Sequence, residues 1–396
     1  MYIWQYPNWT EFTYQAPAVT PLLQQVLANQ QQLIGKAAEL PDDLDRQAQM
    51  DALIQNAIKT SEIEGELLNV GSVRSSVARH LGLEHVAFSA GQKVQPTEQT
   101  DSLVSLLTHV TSTLDAPLTV DELCQWQSAL FPQAPLVRQI RIGELRDHAP
   151  MQVVSQSAGR ETVHFEAPPR ADLDQQLTLF TTWFNGNSQQ NNHFEGIIRA
   201  ALAHLWFITL HPFEDGNGRI ARALTDRALA QSENSSIRFY SLSSAIEQNR
   251  KGYYQILEAI QGTKTSSQKQ NERINDVTDW LVWFLTVLNQ ALEQGLNRIG
   301  RVVNKARFWQ RHSQTVLTER QVKVLNRLLD SQGEEFELGI NARKYQSIAA
   351  VSKATATRDL ADLVNKQCLD PLAGGGRSTR YAIKSGLSLV SFYRDS

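Results

Sequence analysis

The 396-residue chain holds only two cysteines, Cys124 and Cys368, far apart in sequence, so neither a disulfide framework nor a zinc-ligand pattern can be built from them. It has no long apolar run: residues 200–210, among the most apolar, fall far short of the roughly 20 needed to span a bilayer. Residues 1–12 (MYIWQYPNWTEF) offer neither a basic start nor a continuous apolar core, so no secretory signal is expected there. A reduced, cytoplasmic setting without membrane contact is the expectation that follows. An excess of either charge is missing too. The 38 Lys and Arg nearly balance 41 Asp and Glu, for a net charge of −3, which by itself says nothing for nucleic acid. There is no internal repeat and no low-complexity tract.

What is present is enough apolar residue, 41%, to bury a large core, and a length that suggests two or three domains. Charge is unevenly distributed. Between residues 298 and 384 stand 16 Lys or Arg against 8 Asp or Glu, a basic module on an acidic body.

The periodicity is helical almost throughout. Near-alternating aromatics in residues 1–16 suggest a short extended segment. Helical sequence then opens at residues 17–21 and runs to about 39. After Pro41 a second helix carries Met50, Leu53, Ile54 and Ala57 at the spacing of one buried stripe, with Gly65 as its stop. Residues 89–100 read as a loop. Two alternating segments, 151–155 and 162–165, flank residues 156–161 and predict a β-hairpin, ended by Pro168 and Pro169. Helices are expected over 172–184, 195–210, 219–230, 243–261 and 277–298. Residues 263–271 read as a polar loop and 294–311 as a link to the last domain.

The stretch 211–222 reads HPFEDGNGRIAR. Pro212 makes a helix through His211 improbable, and a fresh helix starts after the glycines. Unpaired N–H groups at such a start attract anions, and Gly216 and Gly218 let the backbone approach a phosphate. Arg219 and Arg222, three apart, share a face. Together they describe a polyphosphate cradle. Asp215 beside it could hold Mg²⁺, a hard cation suited to a carboxylate plus phosphate oxygens. His211 has an ordinary pKa near neutrality, roughly 6.5, and is the natural general base. No Gly-Lys-Ser/Thr follows the glycines, so this is not a Walker A loop, and the His-Glu-x-x-His zinc spacing is absent.

This string resembles the full signature of Fic-domain AMP transferases, His-Pro-Phe-x-Asp/Glu-Gly-Asn-Gly-Arg-x-x-Arg. The resemblance implies a mainly helical Fic fold with a β-hairpin flap, its core over about 121–289, and ATP and Mg²⁺ as cosubstrates. It implies AMP transfer to a protein Ser, Thr or Tyr hydroxyl. On that basis His211 would deprotonate the hydroxyl, Asp215 would hold the metal, and Gly216, Asn217 and Gly218 would bind phosphates. Arg219 would stabilise the leaving pyrophosphate, Arg222 would meet the γ-phosphate, and Ile220 and Ala221 would lie along the nucleotide. Residues 60–65, TSEIEG, look like the family's inhibitory motif: Thr60, Glu64 and Gly65, with Glu64 competing with ATP for Arg222. Tyr253, Tyr254 and Gln261 would form the adenine wall. Adjacent tyrosines cannot share a helix face, so one of the two is expected to pack inward. The hairpin 151–165 matches the flap on which a target strand docks, with Val154, Val163 and His164 nearest the nucleotide.

Beyond residue 317, helix, helix, helix and a glycine-rich turn before a strand are similar to winged helix–turn–helix modules. Lys353, Arg358, Arg377 and Arg380 could meet DNA, although such modules also dock proteins. The expected domains are an N-terminal helical extension (1–115), the catalytic domain (116–295) and the winged helix (296–396). A homodimer is a fair expectation on symmetry grounds. Two further readings keep the same residues: a de-AMPylase in which Glu64 positions water, and a DNA-binding regulator whose Fic domain senses nucleotide.

Overall fold

The computed structural model describes residues 1–83, 94–133, 139–157, 160–186, 193–235, 239–262, 275–330, 336, 339–372 and 379–384. The chain divides into two units, Met1–Leu296 and Asn297–Ser396.

The aromatic N-terminus is not extended as its alternation suggested. It makes a turn of 3-10 helix, Ile3–Gln5, between isolated bridges from Tyr2 to Gly262 and from Thr13 to Asp276. Its rings instead reach the body at two places. Trp4 Nε1 donates to the Glu166 carbonyl at 2.7 Å, and Trp9 and Phe12 pack edge-on against Trp206.

Helices α1 (Ala16–Ala38) and α2 (Asp42–Ile63) follow. On α2, Met50, Ile54 and Ala57 of the expected stripe are buried together with Ile58, while Leu53 is only half-buried. Helices α3 (Val70–His80), α4 (Glu98–Ser112) and α5 (Val120–Leu130) each begin behind Asn or Thr. The side chains of Asn69, Thr97 and Thr119 accept from the amides of Ser72, Thr100 and Glu122, which fixes where each helix starts.

Strands β1 (Gln152–Ser157) and β2 (Arg160–Glu166) form the hairpin, with an irregularity between Val153 and Val154. They run further than expected: Ser157 faces Arg160, so pairing reaches into the stretch 156–161 read as a loop, and residues 158 and 159 lie outside the described residues. Helix α6 (Arg170–Gly186) begins just beyond Pro168 and Pro169.

Helix α7 (His193–Leu210) is predominantly apolar and is accordingly buried, with Ile197, Ala201, Leu205, Phe207 and Leu210 inaccessible. Its main neighbour is α8 (Asn217–Glu233). Buried alanines on both, Ala200, Ala201 and Ala203 on one and Ala221, Ala223 and Ala228 on the other, let the two axes approach closely. The single helix expected over 243–261 is two, α9 (Leu242–Gln248) and α10 (Arg250–Gln261). The break is at Asn249, whose side-chain amide donates to the Ala245 carbonyl and to Gln290 Oε1, local bonding that competes with regular helix. Helix α11 (Thr278–Arg311) absorbs the segment read as a linker; no proline interrupts it, and Ile299 and Phe308 are buried. The boundary between the two units falls within it.

In the second unit, α12 (Glu319–Asp330), α13 (Ala342–Ala349) and α14 (Lys353–Asn365) precede two short strands, β3 (Leu369–Pro371) and β4 (Tyr381–Ile383), paired antiparallel. A further bridge joins Ile340 to Tyr381. Val324, Leu325, Tyr345, Leu360 and Leu363 centre its core, where Arg320 and the Tyr345 hydroxyl both bond to Asp359. Residues 374–376, Arg377, the polar stretch 263–271 and residues 89–93 lie outside the described residues. Among the described residues no helix is long and apolar enough to cross a membrane.

Candidate active site

Helix α7 stops at Leu210 because Pro212 lacks an N–H and disfavours helical backbone at the residue before it. His211 adopts the left-handed region, φ 47°, uncommon for a side chain of its size. Several contacts hold it there. Its N–H donates to the Phe207 carbonyl at 3.1 Å, and the buried Arg146 donates from Nε to the His211 carbonyl at 2.9 Å. Arg146 also donates its own N–H to the Pro212 carbonyl and its Nη2 to that of Pro168, joining this corner to the foot of the hairpin. The sequence reading missed Arg146, one of three arginines (Arg138, Arg141 and Arg146) shortly before the hairpin and not set apart from the others by the sequence.

His211 Nδ1 lies 3.1 Å from the Ile208 carbonyl. A carbonyl only accepts, so Nδ1 carries the proton and Nε2 keeps a lone pair. Burial pushes the His211 pKa below its ordinary value. The Ile208 bond opposes this, Arg146 adds to it, and the carboxylates of Glu64 and Asp215 oppose it. The neutral form is therefore favoured near pH 7, the form a general base needs.

From His211 the chain turns into α8. Phe213 is fully buried, and its N–H and C=O are both bonded by the Asn217 side chain, at 3.0 and 2.7 Å. Asn217 thus spends its side chain on the loop; what it could offer a phosphate is its N–H. Gly216 precedes α8 at φ 92° and provides no side-chain cap. Ile220 and Ala221 are fully buried, so their side chains belong to the core and not to a nucleotide surface. The Asp215 carboxylate is exposed. Its Oδ1 accepts from the Gly216 N–H at 2.6 Å and lies 3.7 Å from Arg219. Among the described residues no group of three or more His, Cys, Asp or Glu could hold a metal ion. A lone carboxylate at an anion-binding helix start fits Mg²⁺, whose remaining ligands would be phosphate oxygens and water.

Helix α2 ends against this seat. Gly65, at φ 86°, donates its N–H to the Glu62 carbonyl, and Glu66 donates to that of Ser61. This is the Schellman helix ending, which the glycine makes possible. Arg222, only 2% exposed, donates from Nη2 to Glu64 Oε1 at 2.8 Å and to the Thr60 carbonyl, and from Nε to Thr60 Oγ1. Gly218 is what makes room: a Cβ there would sit 2.1 Å from Glu64 Oε1. Arg219, 4% exposed, lies over the Phe131 ring and donates to Glu66 Oε2 at 2.8 Å. Neither Glu66 nor Phe131 was singled out from sequence, although Glu66 is two residues from Glu64.

Of the two tyrosines, Tyr253 is the one packed inward. Its hydroxyl meets His204 Nε2 at 2.9 Å, and burial raises its pKa. Tyr254 is exposed and donates its hydroxyl to the Ile63 carbonyl at the end of α2. Gln261 is also buried and donates to Thr209 Oγ1, so it and Tyr253 line no open surface. On the hairpin, Val154 and Val163 face each other across the strands and are each 42% exposed, while His164 sits 3.4 Å from Glu258 of α10.

Comparison with known proteins matches residues 117–229 to the Fic/DOC family and residues 2–83 to a domain of unknown function (DUF4172). The chain is 24% identical over 241 residues to the protein adenylyltransferase Fic of Nematostella vectensis, covering 54% of this chain and 51% of that one. It is 30% identical over 118 residues to the uridine 5'-monophosphate transferase of Xanthomonas campestris pv. campestris (strain 8004), covering 29% and 21%. It therefore spans about half the length, or less, of these curated relatives. A Fic family protein from Desulfovibrio desulfuricans G20 shares the fold at a TM-score of 0.50 and 14% identity, over 95% of this chain and 98% of that one.

Proposed function

Residues 117–229 form a Fic/DOC-family domain, and from that premise we propose that the protein transfers AMP from ATP to a Ser, Thr or Tyr hydroxyl of a protein, its own chain included, and is held off by Glu64. The observation that carries this reading is the arrangement around α8. A histidine with an Nε2 lone pair stands before a helix start without a side-chain cap, and two buried arginines follow on that helix. In the transfer, His211 Nε2 takes the proton of the attacking hydroxyl, and that oxygen forms a bond to the α-phosphorus. The bond from this phosphorus to the α–β bridging oxygen breaks, and pyrophosphate leaves. The α8 amides, Arg219 and Arg222 stabilise the charge that develops on the phosphates. Mg²⁺ held by Asp215 would neutralise part of the same charge.

The hairpin suits a target presented as an added strand, which backbone hydrogen bonds would register beside His211 while Val154 and Val163 cover its side chains. Tyr254 is the candidate for adenine contact. The brake follows from the Glu64–Arg222 pair, because a γ-phosphate cannot occupy an arginine already bonded to a carboxylate. Labelled ATP incubated with the Glu64→Gly protein, alone and with lysate, tests the whole reading: label should enter protein, and UTP in place of ATP should label less. Equal, low labelling by wild type and variant removes the brake, and UTP preference reassigns the nucleotide.

The position of Glu64 also favours the reverse chemistry, in which its carboxylate orients a water to release AMP from a modified protein. Release from an AMP-modified substrate that depends on Glu64 would select that reading. For the second unit we propose a winged helix–turn–helix that meets DNA through the exposed Lys353 and Arg358 on α14, with Arg380 beside β4. A mobility-shift assay of the full-length protein that shows no salt-dependent binding rejects this.

A further inference from the structure

The seat on α8 holds two carboxylates, and the second has no place in the inhibitory motif. We infer that Glu66 is a second brake residue, acting on Arg219 as Glu64 acts on Arg222, so that the end of α2 fills the seat with a pair of anions in place of two adjacent phosphates. This deepens the reading of Glu64 given above and rests on it.

The geometry makes the pairing a property of one turn. Gly65 sits at the left-handed position of the Schellman ending, and the amides of Gly65 and Glu66 are both fastened to the last turn of α2. Residues 64 and 66 flank that glycine and are therefore delivered together. Their oxygens each reach a different arginine at 2.8 Å. Of the carboxylates paired with Arg219, Glu66 is the hydrogen-bonded one: Asp215 pairs with it at 3.7 Å, and Phe131 supplies a ring face. The carboxylates nevertheless fill the seat incompletely. Arg219 Nε and Arg222 Nη1 are buried and have no hydrogen-bond partner among the described residues. A phosphate presents three oxygens where a carboxylate presents two, so a diphosphate segment is the better occupant and the carboxylates are its displaceable stand-ins.

AMP lacks the β- and γ-phosphates that the reading above places on Arg219 and Arg222, and this sets the test. ATP, inorganic pyrophosphate and AMP are each titrated by calorimetry, with Mg²⁺ present, into the full-length protein in a His211→Ala background that prevents turnover. The variants are Glu66→Gln, Glu66→Asp, Glu64→Gly and the double Glu64→Gly/Glu66→Gln. Removing the Glu66 charge should tighten ATP and pyrophosphate roughly three- to tenfold and leave AMP unchanged. Glu66→Asp, which retains the carboxylate, should stay closer to wild type. The double variant should bind ATP more tightly than Glu64→Gly alone. The inference is overturned if Glu66→Gln shifts all three ligands equally, the mark of a loosened α2 ending, or shifts none. Failure of the Glu64 brake is read separately, as no gain in self-labelling by Glu64→Gly with His211 intact, whatever the Glu66 variants do.

Discussion

Two helix starts in this protein meet the same demand in opposite ways. At α14, Ser352 turns its own hydroxyl onto the Thr355 amide at 3.2 Å, and the helix closes on itself. At α8 the residue in that position is Gly216, which has no side chain to give. The carboxylate of Glu64 instead lies where a side chain at residue 218 would stand, brought from the far end of α2. The first start is a matter of stability, since its cap cannot leave without the chain paying in local order. The second, on the reading proposed above, is a site, because what covers it belongs to another element and a better anion would displace it.

The largest expected effect tests whether the open start serves chemistry at all. In the Glu64→Gly background, His211→Ala should lower self-labelling by roughly 10²–10⁴-fold, the usual weight of a positioned general base, while ATP binding persists. Because burial lowers the His211 pKa, the rate should fall only as pH drops through a value below the ordinary 6.5 or so, where His211 takes up a proton. An acid limb above that value would assign the base elsewhere. Next comes the cover itself. Glu64→Gly should raise self-labelling roughly ten- to hundredfold, as expected for removing a charge-assisted bond to a buried arginine. If Gly218→Ala, whose Cβ would collide with Glu64, leaves both labelling and ATP affinity unchanged, then Glu64 does not cover the start of α8.

The contrast also marks how much was legible in the sequence. Self-capped helices carry their start in the local sequence, as with Ser352 just before α14, and the signature from His211 to Arg222 fixes residue types at a spacing that one loop and one helix turn must honour. Contacts between distant segments carry no such mark. Arg146 reaches the His211 carbonyl across 65 residues, and Glu66 meets Arg219 across 153. Which of two adjacent tyrosines turns inward depends on His204, supplied by α7, and not on anything beside them in the chain. The α9–α10 break and the continuation of α11 were missed for a related reason: helical periodicity reads through a single Asn and gives no warning of where a domain ends inside a helix.

Behind the α8 seat a buried histidine gives the next expected effect. Thr225 donates its hydroxyl to the Ala221 carbonyl, so its oxygen accepts from His204 Nδ1, and Tyr253 donates to Nε2. Burial first, and the Arg222 charge second, hold the His204 pKa down to about 3. Unfolded, the same group titrates near 6.5 and binds the extra proton, so stability should be full above that value and be lost as pH falls toward 3. The slope from this one group is about 1.4 kcal/mol per pH unit. Urea midpoints at pH 7, 6 and 5 should fall more steeply for wild type than for His204→Gln. Parallel slopes would mean that Arg222 and burial leave His204 free to titrate.

The smallest effect is the cleanest separation of the two helix starts. Ser352→Ala removes a cap worth about 1 kcal/mol. In full-length protein, amide exchange at Thr355 should speed up roughly fivefold, because that N–H loses the oxygen it bonds and the first turn of α14 opens more often. Self-labelling of the Glu64→Gly protein should not change, since nothing at α14 needs to leave for catalysis. Gly216→Ser is the reciprocal substitution: it offers α8 a cap of its own, but at φ 92° and with Leu130 only 3.0 Å from the new Cβ, it should lower labelling and stability together. A Ser352→Ala protein with altered labelling, or a Gly216→Ser protein with full activity, would make the two starts equivalent after all.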